Sequence, residues 1–169
     1  SFYARLCEFL NIPQNLTIHN LNDHFSDSEN FNENSLRNAA ATLFDSASKT
    51  DHERGQAMLA WLDCDINTRK NGLDDYLLTL LKKDGQPRAT LITKKAAAEN
   101  PNALDILSRE AIRMMDHMTR TKKVQCAALT KDLFLLGSHI LERYKALKTQ
   151  KGVLDYDDLI TKTFHLLDN

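Results

Sequence analysis

Three carboxylates in four residues, Asp155, Asp157 and Asp158, form the densest acidic group in the chain, and neighbouring carboxylates can hold Mg²⁺ or share a proton. Asp155, however, stands where a helix N-cap belongs, and Asp157 and Asp158 fall in the first turn. There the helix dipole favours negative charge by ~0.3–1 kcal/mol each. The spacing therefore predicts capping ahead of metal binding. Asp74 and Asp75 fall in the first turns of another helix, point to different faces, and read as solvated. The six histidines, His19, His24, His52, His117, His139 and His165, make no H-x-x-x-H or E-x-x-H pair on one helical face, so zinc and di-iron sites are not expected. Cys7, Cys64 and Cys126 form no C-x-x-C pair and are expected to be reduced packing residues. The chain lacks a G-x-x-x-x-G-K-(S/T) loop to cradle phosphate and a G-x-S-x-G nucleophile elbow, so no catalytic residues, metal or cofactor are assigned to it.

The cations are more telling. Net charge is −1, but residues 82–151 carry fifteen Lys and Arg against seven Asp and Glu, a balance of +8, leaving −9 elsewhere. Clustered cations attract phosphates and release counterions, which points to a polyanion; the plain competing explanation is that helices carry Lys and Arg to stay solvated. Lys82, Lys83, Arg88, Lys94 and Lys95 face only Asp84 and fall at a turn, where a rigid scaffold presents binding groups. These five are the candidate phosphate contacts.

The elements that must position them are helical. In 169 residues, 42% of them hydrophobic and 27% charged, glycine and proline number five and three. That composition favours long helices in one domain, and no run approaches the ~18 apolar residues of a membrane span. Apolar spacing predicts a helix over 2–10. A solvated Asn/Asp/Ser-rich loop or lid follows from Leu21 to Ser35, then a helix capped by Ser35 with the stripe Leu36, Ala39, Ala40, Leu43, Phe44 and Ala47. Thr50 and Glu53 make a capping box for the next helix, which carries Trp61 and pairs with its predecessor as an antiparallel hairpin. Leu73 to Leu81 forms a fourth helix closed near Asp84-Gly85, and Arg88 to Thr93 is the one extended candidate. Asn100-Pro101 starts two long helices, or one broken between Thr119 and Lys123, and a last helix begins at Asp155. Met114, Met115, Met118 and Trp61 read as core. The expected fold class is all-α, with one short β-hairpin or extended segment near 88–93.

The run Gly152-Val153-Leu154-Asp155-Tyr156-Asp157-Asp158-Leu159-Ile160, preceded by Tyr144, Lys145 and Lys148, resembles the G-x-L-D-(F/Y)-D-D-L-(I/L) motif of helicases related to UvrD, Rep and PcrA. Leu73 to Leu77, Lys82 to Arg88 and Leu91 to Lys95 are similar to the D-Y-L and L-T-x-x-G-x-P-R-x-x-L-x-T-K pattern of AddA, the alphaproteobacterial double-strand break repair helicase-nuclease. Arg37 to Ala41, Trp61-Leu62, Leu129 and Leu136-Gly137 extend the likeness from about Ser35 to the end. The resemblance implies a helical accessory domain, called 1B, inserted in a bacterial cytoplasmic helicase. On that view residues 1–34 are an N-terminal helix and acidic loop, 35–153 the 1B-type domain, and 154–169 a helix returning to the motor. The start Ser1-Phe2-Tyr3, without Met or a targeting segment, is expected of a piece of a longer protein. ATP and Mg²⁺ would serve the parent protein, DNA and an AddB-type subunit would be its partners, and no membrane is implied. The family's DNA-contacting aromatic corresponds to Tyr156.

Overall fold

The computed structural model describes residues 1–167, and among these it contains helices and no β-strand. In order they are α1 (Phe2–Leu10), α2 (Ile18–Ser26), a 3₁₀ turn (Ser28–Asn30), α3 (Glu33–Phe44), α4 (Lys49–Leu62), α5 (Ile66–Asn71), α6 (Leu73–Leu80), α7 (Lys94–Glu99), α8 (Pro101–Lys151) and α9 (Tyr156–Leu167). The all-α expectation holds. No helix among the described residues is long and apolar enough to cross a membrane. The chain forms two compact units, residues 1–127 and 128–169.

The first unit is built on the α3–α4 hairpin. Its stripe Leu36, Ala39, Ala40 and Leu43 is buried against Met58, Trp61 and Leu62, and α6 and α8 add Tyr76, Leu80, Leu107 and Met114 to one core. Close approach of the two helices depends on Gly55, where an added Cβ would stand 2.3 Å from the Phe44 backbone nitrogen and 2.7 Å from the Ala40 carbonyl oxygen. Trp61 stacks on Tyr76 with ring centroids 3.9 Å apart, as a core residue, and Met114 is fully buried with Met115 and Met118 packed beside it. A smaller cluster joins Cys7, Ile12 and Leu21 to Val124 and Ala127.

Several local expectations are corrected. The segment from Leu21 to Ser35 is not a solvated loop: Thr17 caps α2 by accepting from Asn20 N, and Leu21 and Phe25, four residues apart, are buried on one face together with Ser26. The cap of α3 is Asn32, three residues before Ser35, and Ser48 rather than Thr50 caps α4. Helix α5 was not foreseen; the Asp65 carboxylate accepts from Asn67 N and Thr68 N, and Trp61 Nε1 donates to Arg69 O at 2.9 Å. Helix α8 is continuous through Thr119 to Lys123, where no glycine or proline interrupts the backbone ladder. Residues 88–93 form no strand; the pairing lies earlier, as a single antiparallel bridge between Leu81 and Pro87. Of the three free cysteines only Cys7 is buried, and Cys126 is exposed, so packing does not account for all of them.

In the second unit no described residue is buried. The C-terminal half of α8 leads through a turn at Gly152 into α9.

Candidate nucleic-acid interface

The candidate basic segment begins where α6 ends. Leu81 leaves the helix in an extended conformation, and the chain reverses: Lys82 N donates to Gln86 O at 2.8 Å, Gly85 N to Lys82 O at 2.9 Å, and Arg88 N to Leu80 O at 2.9 Å. Gly85 has φ +87°, which an L side chain rarely adopts, and a Cβ there would meet the Met118 side chain at 3.4 Å and Lys122 Nζ at 3.7 Å. The turn thus lies against α8. Buried Leu80 and Leu81 pin its start and buried Ile92 its end, so the residues between are held at the surface. Lys82 and Lys83 are exposed and Arg88 is half-buried.

Lys94 and Lys95 are exposed at the start of α7, which buried Ala96 anchors and where Thr93 N donates to Asp51 Oδ2 at 2.9 Å. Two lysines and no acid in a first helical turn oppose the peptide dipole, so folding of α7 gains nothing from these charges.

These five cations share a lack of counter-ions. Elsewhere in the first unit Arg37 and Arg69 share Glu33, Lys70 pairs with Asp23 at 2.7 Å, and Arg113 with Glu110 at 2.8 Å. No ion pair among the described residues involves Lys82, Lys83, Arg88, Lys94 or Lys95. Asp84, the one acid nearby in sequence, accepts from Gln86 N at 2.9 Å and shapes the turn. Arg88 Nε and Nη2 donate to Leu78 O at 3.3 and 2.8 Å, closing the end of α6 without neutralising the guanidinium.

Two further cations join them that the sequence did not single out. Arg54, on α4, donates to Thr90 O at 3.0 Å; burial and then the Arg88 charge hold its pKa below the ordinary arginine value. Lys122 of α8 stands over Gly85. Neither has an ion-pair partner among the described residues. No local signal marked Arg54, because it meets the loop across 36 residues of chain.

Tyr156 belongs to the second unit. The turn before it is made by the residues of the motif: Gly152 at φ +64° closes α8, with Val153 N donating to Lys148 O at 3.1 Å. Asp155 and Asp158 then cap α9 reciprocally, Asp158 N donating to Asp155 Oδ1 at 2.9 Å and Asp155 N to Asp158 Oδ2 at 3.1 Å. Lys148 Nζ bonds both carboxylates, at 2.8 Å to Asp155, and Tyr144 donates its hydroxyl to Asp155 at 3.0 Å. The Lys148 bond holds the Asp155 carboxyl well below the usual carboxylate range, and the two acids raise Lys148. Capping therefore accounts for Asp155 and Asp158. Among the described residues no group of three or more His, Cys, Asp or Glu side chains is placed to hold a metal ion.

The Tyr156 ring does not pack on the helix before it. It is 80% exposed at the first position of α9, with a face available for stacking. Set against known proteins, the chain matches no family model, no curated protein and no solved structure.

Proposed function

We propose that this chain is the DNA-binding accessory domain of a UvrD-like, AddA-type helicase-nuclease acting on double-strand breaks in the bacterial cytoplasm, the motor supplying ATP and Mg²⁺ chemistry from elsewhere in the parent protein. The observation that carries the reading is the concentration of exposed or half-exposed cations without carboxylate partners between Lys82 and Lys95, in a unit whose other arginines are mostly paired. Exposed cations on a pinned loop contact phosphates, which position a strand without reading its sequence. An aromatic ring as open as Tyr156 supports the family-derived role, since stacking on any base contributes ~1–3 kcal/mol.

The test is fluorescence anisotropy of the chain with single-stranded and forked oligonucleotides over a salt series. Binding is expected to weaken with salt by a slope of ~0.7 per phosphate neutralised on a single strand. Lys82→Gln, Lys83→Gln, Lys94→Gln and Lys95→Gln together should flatten that slope. Binding indifferent to salt would overturn the proposal.

A second reading is a helical interaction domain whose basic face meets an AddB-type subunit or another protein partner without direct DNA contact, and it draws on the same exposed lysines. Charge reversal at Lys82, Lys83, Lys94 and Lys95 separates the two. Lost DNA binding with subunit assembly intact favours the first reading, and the opposite result the second.

A further inference from the structure

We propose that Arg54 and Arg88 form a two-armed clamp for a single phosphate group beside the 81–93 loop, a task the surrounding lysines do not share. The inference takes the DNA strand as its source of phosphate and so rests on the reading above, but the clamp is defined by its own geometry.

Both guanidinium groups are fixed to backbone near one stretch of loop. Arg54 reaches from α4 to the Thr90 carbonyl at 3.0 Å, and Arg88, two residues before Thr90, bonds the Leu78 carbonyl at the end of α6 through Nε and Nη2. A guanidinium has five N–H donors, so these anchors leave most of the Arg54 donors and part of the Arg88 donors uncommitted. Like charges near one another repel, and the Arg88 charge is felt at Arg54. Asp51 offsets part of this at Arg54, but no carboxylate among the described residues forms an ion pair with either guanidinium. Asp51, one turn before Arg54, is buried and accepts from Thr93 N, and Asp84 accepts from Gln86 N. An oxyanion with several acceptor oxygens satisfies both groups. The guanidinium fork matches phosphate bidentately, whereas an ammonium is a point charge on a flexible stem. Lys82, Lys83 and Lys122 around the turn then supply diffuse attraction, while the anchored arginines set where a phosphate stops.

The distinguishing substitution conserves charge. Arg54→Lys should weaken oligonucleotide binding about tenfold, the loss of one charge-assisted bonding arrangement, and leave the salt slope unchanged. Lys82→Gln with Lys83→Gln should instead lower the slope by about 1.4. Arg88→Lys should act as Arg54→Lys does; because Arg88 also closes α6, its melting temperature is measured alongside, and Arg54 carries the decision if that variant unfolds. In parallel, the arginine Nε–H resonances of the wild-type chain are followed by NMR during titration with the oligonucleotide and with inorganic pyrophosphate. Selective shifts at Arg54 and Arg88 are expected with both. If Arg54→Lys binds like wild type while the lysine pair is weakened, the clamp is wrong and the DNA reading stands. If the oligonucleotide does not bind but pyrophosphate shifts the two arginines, the clamp stands and the DNA reading falls. If the oligonucleotide binds but neither probe shifts the two arginines, the clamp is wrong and the DNA reading stands; if the oligonucleotide does not bind and pyrophosphate shifts neither arginine, both fall.

Discussion

Helix α8 passes through two environments. Its N-terminal half buries Ala103, Leu107, Ala111, Met114, Val124 and Ala127 in the first unit, whereas past Ala127 the same helix exposes Leu129, Leu133, Phe134, Leu136, Ile140 and Leu141. Helix α9 is alike, with Leu159, Ile160 and Phe164 all exposed. Apolar periodicity is present in both regions, so the difference is not one of local pattern. The first unit gains stability from side chains removed from water, at about 25 cal/mol per Å² of apolar surface. The second is held by helical hydrogen bonds, the glycine turn and the ion pairs of Lys148. One region should therefore respond to changes in packing and the other to changes in backbone propensity and local charge.

The largest test of that contrast is Gly55→Val. Its side chain would collide with the α3 backbone rather than with a movable neighbour, so the α3–α4 hairpin must separate. Overpacking a core costs about 1–3 kcal/mol even where side chains can yield, and a backbone clash should exceed that; chemical denaturation is expected to show the first unit largely unfolded.

Acid gives the next effect. Burial, followed by the charge of Arg113, pushes His117 from 6.5 down to about 4, where it lies against the Phe25 ring with centroids 4.7 Å apart. The unfolded chain binds a proton below pH 6.5 that the native histidine refuses. Stability is therefore fully present above that pH, falls as pH drops from about 6.5 toward about 4, and then levels. Denaturant midpoints measured across this window should decline in the wild type, and His117→Gln should flatten the decline. An unchanged slope would refute the assignment.

A smaller effect of opposite sign belongs to the second unit. Gly137 lies in mid-helix with nothing within 4 Å of an added Cβ, so Gly137→Ala should raise helicity, with a gain of about 0.5–1 kcal/mol in the stability of α8 and no change in the first unit's melting. The smallest global effect is expected of Lys148→Met. It should speed proteolysis between α8 and α9 and leave the main transition in place. The wild-type turn should itself loosen as pH falls below the ordinary Asp value of 3.8 toward the depressed pKa of Asp155, or rises past the ordinary lysine value of 10.5.

Much of this architecture was legible from residue spacing. The stripe from Leu36 to Leu43 located the α3–α4 hairpin, and Gly152 with Asp155 and Asp158 located the α8–α9 turn, because closing a helix and capping the next need only near neighbours. Cap assignments slipped by a few residues where several able caps follow one another, as Asn32 and Ser35 do. Helix α2 was hidden by its Asn and Asp content, although Leu21 and Phe25 carry its burial. The basic segment was visible as composition. Its lack of counter-ions was not, because ion pairing joins residues far apart in sequence, as Arg69 joins Glu33.

The order of helices, the closure of their ends and the motif before Tyr156 were set by the amino-acid sequence itself, since each rests on contacts a few residues long. Only the tertiary structure decided that Gly55 must lack a side chain, that Arg54 stands beside the loop of Arg88, and that one half of α8 is core while the other is surface. Those outcomes depend on which distant segment fills the space beside each residue, and periodicity carries no information about that.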